Sequence, residues 1–196
     1  MLKRIFDIIF SIIGLFFTIP IILLISILIK LDSRGPVFFI QERVGRNNKI
    51  FKMLKFRSMQ NITNNSCSIS IKGDARITKI GGVLRKYKLD EIPELCNVLI
   101  GDMSFVGPRP DVSGYADNLI GEDKKILDLR PGITGPASLK YSNEEELLSY
   151  QEDPVKYNNE VIYPDKVKIN LEYFYNNSLW IDIKIIFATI FKITKS

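Results

Sequence analysis

The chain has 196 residues, with 27 lysines and arginines against 22 aspartates and glutamates, a net charge of +5 and no histidine. That balance suits an anionic partner, whether nucleic acid, anionic lipid or a phosphorylated substrate. With no histidine, acid, base or nucleophile chemistry must run on carboxylates, lysines, hydroxyls or a metal-bound water, and a zinc site built from Cys and His is excluded. The two cysteines, Cys67 and Cys96, form no CxxC and read as free thiols in a reducing compartment rather than as a disulfide. Any metal is expected to be a hard ion on carboxylate oxygens, magnesium first.

Ile8 to Ile29 is an unbroken uncharged run. As a helix it would reach roughly 33 Å, enough to cross a bilayer core. It is too long for a signal peptide, and no small-residue cleavage site follows. A buried core helix, a spanning helix and a helix that enters and returns on one side remain. Pro20 removes a helix hydrogen bond in mid-run, and Thr18 offers a hydroxyl to the carbonyl of Phe16 freed by it. Positive charge flanks both ends: Lys3 and Arg4 before, Lys30, Arg34, Arg43 and Arg46 after. A spanning helix concentrates Lys and Arg on the cytoplasmic side, so matched flanks fit two cytoplasmic ends, but these features alone leave both membrane readings open. Asp7 is expected to pair with Lys3 or Arg4 at helical spacing.

Val37–Ile40 and Ile50–Leu54 are β-prone runs around a Gly45–Asn48 turn, which predicts a hairpin. Asn61–Ser68 is polar and reads as a loop. Ile77–Tyr87 has helical spacing despite Gly81–Gly82, and Ile92, Leu95, Cys96 and Leu99 stripe a second helix that Gly101 should stop. Glu144–Tyr150 predicts a short acidic helix with a solvated face, and Val167–Tyr175 another helix. Trp180–Ile193 is strongly apolar; Leu179, Ile183, Ile186, Ile190 and Ile193 make one face for the core or the membrane interface. No repeat or clear linker divides the chain.

Chemistry concentrates in Leu89–Pro110, LDEIPELCNVLIGDMSFVGPRP. An isolated Asp–Glu pair at a helix start is usually an N-cap and its neighbour. Here Arg85, Lys86 and Lys88 precede Asp90 and Glu91, and prolines on both sides restrict Arg109. A guanidinium presented that way suits a phosphate, and Lys55 and Arg57 on a strand-like segment would add to the cluster. A carboxylate beside a helix N-terminus and several cations stays ionised. It is then available as a nucleophile on phosphorus, while its neighbour holds magnesium. The residues alone thus point to phosphoryl or phosphoglycosyl transfer at a membrane surface. No nucleic-acid-binding motif is present, and none is expected to bind.

Taken together the motifs resemble the monotopic phosphoglycosyl transferases, bacterial sugar transferases that start glycoconjugate assembly on undecaprenyl phosphate. The likeness runs from KRIFD at Lys3–Asp7 through QERVG at Gln41–Gly45, FKMLKFRSM at Phe51–Met59 and the Leu89–Pro110 segment. It continues through LRPGITG at Leu129–Gly135 to SLWIDIKIIF at Ser178–Phe187. The resemblance implies an α/β fold, mostly helical with a small β-hairpin. It implies a monotopic membrane protein with a re-entrant helix-break-helix over residues 1–34, broken around Thr18 and Pro20, and a cytoplasmic catalytic domain over 35–196 whose C-terminal amphipathic helix lies in the interface. It implies that Asp90 attacks the β-phosphate of a UDP-sugar, expelling UMP and leaving a phosphosugar–aspartate that undecaprenyl phosphate then attacks. Glu91 would bind Mg²⁺, and Lys55, Arg85 and Arg109, with Arg57 and Arg130 less strongly matched, would contact phosphate. The implied location is the cytoplasmic face of the bacterial inner membrane, among phospholipids, and a homodimer is left open. The alternative is a non-enzymatic membrane-anchored sensor of a nucleotide or lipid phosphate. Three positions depart from the family pattern: Ile19 stands where many members have Ser before the proline, Pro136–Leu139 replaces WAQV ahead of a longer polar insertion, and Asn170 replaces Asp. The family's larger members carry extra membrane helices, so the chain reads as a minimal catalytic form or one trimmed to it.

Overall fold

A computed structural model describes residues 1–60 and 75–193. The polar stretch Asn61–Ser68, with Cys67, lies outside them. The fold is mostly helical with two small sheets.

Helix α1, Leu2–Asp32, is unbroken through Pro20. It is the one helix among the described residues long and apolar enough to cross a membrane. One continuous helix thus runs through the expected break, where Pro20 has no N–H for the Phe16 carbonyl, and Thr18 bonds back to the carbonyls of Gly14 (2.7 Å) and Leu15 (3.3 Å), not to Phe16. Its buried residues cluster toward its two ends, Asp7 and Ser11 at one and Ile25 and Ile29 at the other. Between them Phe16 and Phe17 are 70% and 71% exposed. The N-terminal end is tied to distant chain: Lys3 Nζ donates to Asp182 (2.5 Å), to the Tyr173 hydroxyl (3.0 Å) and to the Val106 carbonyl (2.9 Å). Arg4 donates to the Val98 and Leu99 carbonyls. Asp7 accepts from Ser104 Oγ and Phe105 N rather than from Lys3 or Arg4. The expected pairing within the helix thus gives way to tertiary partners that bury the same charges.

The predicted hairpin is present. Strands β1 (Phe38–Val44) and β2 (Ile50–Phe56) pair antiparallel with Gln41 opposite Met53. Helix α2, Lys79–Lys86, starts at Thr78, whose side chain accepts from Gly81 N. Gly81 is needed in that helix, because a Cβ there would lie 2.0 Å from the Ser58 carbonyl oxygen. Helix α3, Glu94–Ile100, ends at Gly101 as expected. Its Asn97 is 3% exposed and treats β2 as a strand would, accepting from Leu54 N (3.0 Å) and donating to the Lys52 carbonyl (2.8 Å). Ile25, Ile29, Phe56 and Leu84 form one apolar cluster joining α1, β2 and α2.

A second sheet pairs β3 (Ser104–Val106) in parallel with β4 (Gly132–Thr134). Four short or long helices follow: α4 (Pro136–Lys140), α5 (Glu144–Ser149), α6 (Pro154–Tyr157) and α7 (Tyr163–Asn176), the last two joined through a π-turn at Asn158–Ile162. Helix α8, Leu179–Ile193, turns Asp182 and Ile185 inward. Ile181 and Ile186 pack beside them, while Ile190 and Trp180 are 52% and 65% exposed. The inward face thus carries Asp182, which meets Lys3 and Tyr173, and leaves Ile190 of the predicted apolar face exposed.

Candidate active site

Asp90 and Glu91 stand in a 3-10 turn, Leu89–Glu91, and not at the N-terminus of α3. Lys88 before them is left-handed (φ 55°, ψ 23°), a state a non-glycine residue holds only when its surroundings impose it. Asp90 and Glu91 are 7% and 9% exposed. Among the described residues Asp90 Oδ1 is buried and accepts no hydrogen bond.

Burial pushes the Asp90 carboxyl above its ordinary range, and Glu91 beside it adds to the effect; Lys55, Arg85 and Lys88 pull it back. The helix terminus expected beside this group is not there, and the cations act on it against burial. Glu91 is the reverse case. Burial opposes its charge, but Arg109 and Lys55 hold its carboxyl well below the usual carboxylate range. Its Oε1 accepts from Lys55 Nζ (3.1 Å) and Arg109 Nη2 (2.5 Å). Lys55 also lies 3.1 Å from Glu94 Oε1, a charge contact rather than a hydrogen bond. Glu94 is 2% exposed, and burial, resisted by Lys55, pushes its carboxyl up to about 7.

Arg109 is set in place from two sides. The parallel ladder continues past β3, with Gly107 N donating to the Thr134 carbonyl (2.9 Å) and Gly132 N to the Pro108 carbonyl (2.8 Å). A Cβ on Gly107 would lie 2.2 Å from the Arg130 carbonyl oxygen, so only glycine lets the two segments approach. From the hairpin, Arg43 Nη1 donates to the Pro110 carbonyl (3.1 Å) and Val44 N to the Asp111 carbonyl (2.9 Å). The LRPGITG and QERVG motifs thus brace the GPRP turn.

Of the cations singled out in the sequence, Lys55, Arg85 and Arg109 gather around the two carboxylates. Arg57 does not join them. It is 5% exposed and donates to the Ser33 and Arg34 carbonyls (2.8 and 2.6 Å) and to Ser33 Oγ, clamping the chain after α1. Arg130 binds the Gly101 carbonyl and has Arg46 and Arg4 as its charged neighbours. Arg85 is paired with Glu145, so the acidic helix α5 is engaged rather than solvated. Lys88, singled out in the sequence, does act on Asp90, but sequence reasoning missed Glu94 as a neighbour of the dyad; Glu94 stands three residues after Glu91, the spacing that shares a helical face. It also missed Asp111, which burial pushes up to about 6 against the pull of Lys166 and Arg43. Asn170 is 7% exposed and lines a cavity of about 30 Å³ with Arg109, Asp111 and Lys166.

For a divalent cation, the donor set fits in part. Glu91 is an ionised oxygen donor and Asp90 Oδ1 is unpartnered, yet the described residues hold no group of three or more His, Cys, Asp or Glu side chains suited to a metal. Magnesium would hold Glu91 and draw its other oxygens from a bound phosphate and water. A buried carboxylate ringed by cations, beside a braced arginine, is suited to act on an anionic ester.

The bacterial sugar transferase family matches residues 1–196. The chain is 37% identical over 195 residues to a UDP-N-acetylgalactosamine-undecaprenyl-phosphate N-acetylgalactosaminephosphotransferase of Aeromonas hydrophila, covering 96% of this chain and 43% of that protein. It is 39% identical over 195 residues to a UDP-glucose:undecaprenyl-phosphate glucose-1-phosphate transferase of Klebsiella pneumoniae, covering 97% of this chain and 39% of that protein. Both relatives are thus more than twice as long as the matched region. The exopolysaccharide production protein PSS of Rhizobium leguminosarum bv. phaseoli is 38% identical over 200 residues, covering 96% of this chain and 93% of that protein. The chain belongs to the bacterial sugar transferase family.

Proposed function

We propose that this protein is a membrane-bound phosphoglycosyl transferase that moves a sugar-1-phosphate from a UDP-sugar to undecaprenyl phosphate, an early membrane step of exopolysaccharide or related glycan synthesis. The observation that carries the reading is Asp90: a buried carboxylate with an unpartnered Oδ1 inside a shell of Lys55, Arg85 and Lys88. The names of the relatives supply the donor and acceptor classes.

In this reading the three cations and Arg109 bind the donor diphosphate and screen its charge from the carboxylates. Asp90 then attacks the β-phosphorus in line, an acyl phosphate bond forms, the bond to the UMP oxygen breaks, and UMP leaves. An oxygen of undecaprenyl phosphate attacks the same phosphorus, releasing the lipid-linked diphosphate sugar and restoring Asp90. Burial favours the first step twice over, since a desolvated carboxylate of raised basicity is the stronger nucleophile. Magnesium on Glu91 would neutralise charge on the diphosphate and its leaving group. Asp90→Asn is expected to abolish UMP release and the phosphosugar adduct that mass spectrometry should find on Asp90; unchanged turnover would sink the mechanism.

The membrane reading that fits best is re-entry from the cytoplasmic face. Both ends of α1 hold the catalytic domain, Lys3 at one and Ile29 at the other, while Phe16 and Phe17 between them lie uncovered. A helix spanning a bilayer would carry one end about 30 Å away. Single cysteines placed near Leu2 and Ser33 should react with an impermeant reagent from the same side of the membrane, and reaction from opposite sides would refute re-entry.

A further inference from the structure

Glu144 and Glu145 open α5 side by side, and each pairs with a cation from a different element. Lys166 of α7 donates to both carboxylate oxygens of Glu144, at 2.6 and 2.7 Å. Arg85 of α2 pairs with Glu145 Oε1. Arg85 acts electrostatically on Asp90, and Lys166 lines the cavity that Arg109 also lines. The start of α5 therefore bridges a cation that acts on Asp90 and one that lines the cavity beside Arg109. Its root is fixed by Leu148, 2% exposed, whereas the Glu145 side chain is 47% exposed.

We propose that this acidic turn is an electrostatic strap: Glu145 occupies Arg85 while the site is empty and yields it when the donor diphosphate arrives. The inference rests on the reading of Arg85 as a donor-phosphate residue. Lys55, Arg85, Lys88 and Arg109 repel one another once gathered around two carboxylates, and a carboxylate on a short helix is a stand-in anion that keeps Arg85 extended toward the site. A diphosphate brings more charge and a better match to the guanidinium fork than a single half-exposed carboxylate does. The strap then lowers apparent donor affinity by the cost of breaking one ion pair, and it excludes weakly charged molecules from the cations. Glu144 stays on Lys166 through two bonds and keeps α5 seated during the exchange.

The test is calorimetric titration of UDP, a diphosphate that is not turned over, into the full chain in phospholipid nanodiscs. Glu145→Gln should tighten UDP about two- to fivefold, the range of one partly exposed ion pair. Arg85→Gln should weaken UDP, and adding Glu145→Gln to it should bring no gain. Glu152→Gln, which removes the same charge from an exposed position, should change nothing. An unchanged or weaker affinity in Glu145→Gln, with Arg85→Gln still weakening UDP, overturns the strap and leaves the donor reading standing. An Arg85→Gln variant that binds UDP like the parent removes the donor role of Arg85, and the strap falls with it.

Discussion

Replacing Glu94 with Gln removes a carboxyl that the fold keeps at a pKa of about 7 against an ordinary 4.5. The sign follows from proton binding. Between those values the folded state holds a proton that the unfolded chain has released, so stability is full below about pH 4.5 and falls as pH rises toward 7. A shift of that size corresponds to about 3 kcal/mol at pH 8, each unit being about 1.4 kcal/mol. Gln keeps the shape and cannot ionise. The stability gap between variant and parent should therefore widen by about 2 to 3 kcal/mol from pH 5 to pH 8, or roughly 4 to 12 °C in midpoint for a chain of this size. The assay is thermal unfolding of both proteins in chelator across that range, so that Glu91 keeps its contacts with Lys55 and Arg109. Parallel pH profiles, with no widening of the gap, would show that Glu94 is already solvated or fully paired and would refute the reasoning.

Arg57→Ala should lower the unfolding midpoint, because it strips charged donors from the Ser33 and Arg34 carbonyls at a cost of about 2 to 4 kcal/mol; the KM for a UDP-sugar should hold in whatever protein remains folded. Arg109→Ala should do the opposite, raising KM or lowering kcat with a smaller loss of midpoint, and a matched pair of results in the other direction would return Arg57 to the site. Asn97→Ala leaves Leu54 N and the Lys52 carbonyl without their partner, for a loss of about 2 to 4 kcal/mol measured by denaturant titration. A loss below about 0.5 kcal/mol would mean that water replaces the amide at no cost.

Elements with a clear period were legible in the sequence. The hairpin followed from two β-prone runs around a Gly-Arg-Asn-Asn turn, and α3 from its apolar stripe and terminal glycine. The parallel ladder was not, since each strand has three residues and no period can be read from three. Arg57 was grouped with Lys55 because alternate residues share a strand face, but β2 ends at Phe56 and the backbone turns Arg57 toward α1. Asn97 carries no local signal, since a polar residue within an apolar stripe looks like an exposed face until the partner strand is known, and Glu94 offers only its helical spacing from Glu91. The dyad and Arg109 stood out because a proline-clamped cation and paired acids are unusual neighbours, and the braces that make them a site come from segments far away in the chain.

The Lys3–Asp182 pair joins residues 179 positions apart. On a ribosome, Lys3 is made long before its partner. Until then the N-terminal helix lacks the carboxylate that neutralises its ammonium, and the Val106 carbonyl that Lys3 also holds lies just ahead of the turn bearing Arg109. The turn bearing Arg109 thus gains this support only after Asp182 has been made. Chains released before Asp182 should accumulate as membrane-attached, protease-sensitive species without activity. One ion pair between distant segments thus ties the N-terminal helix to the turn that carries Arg109.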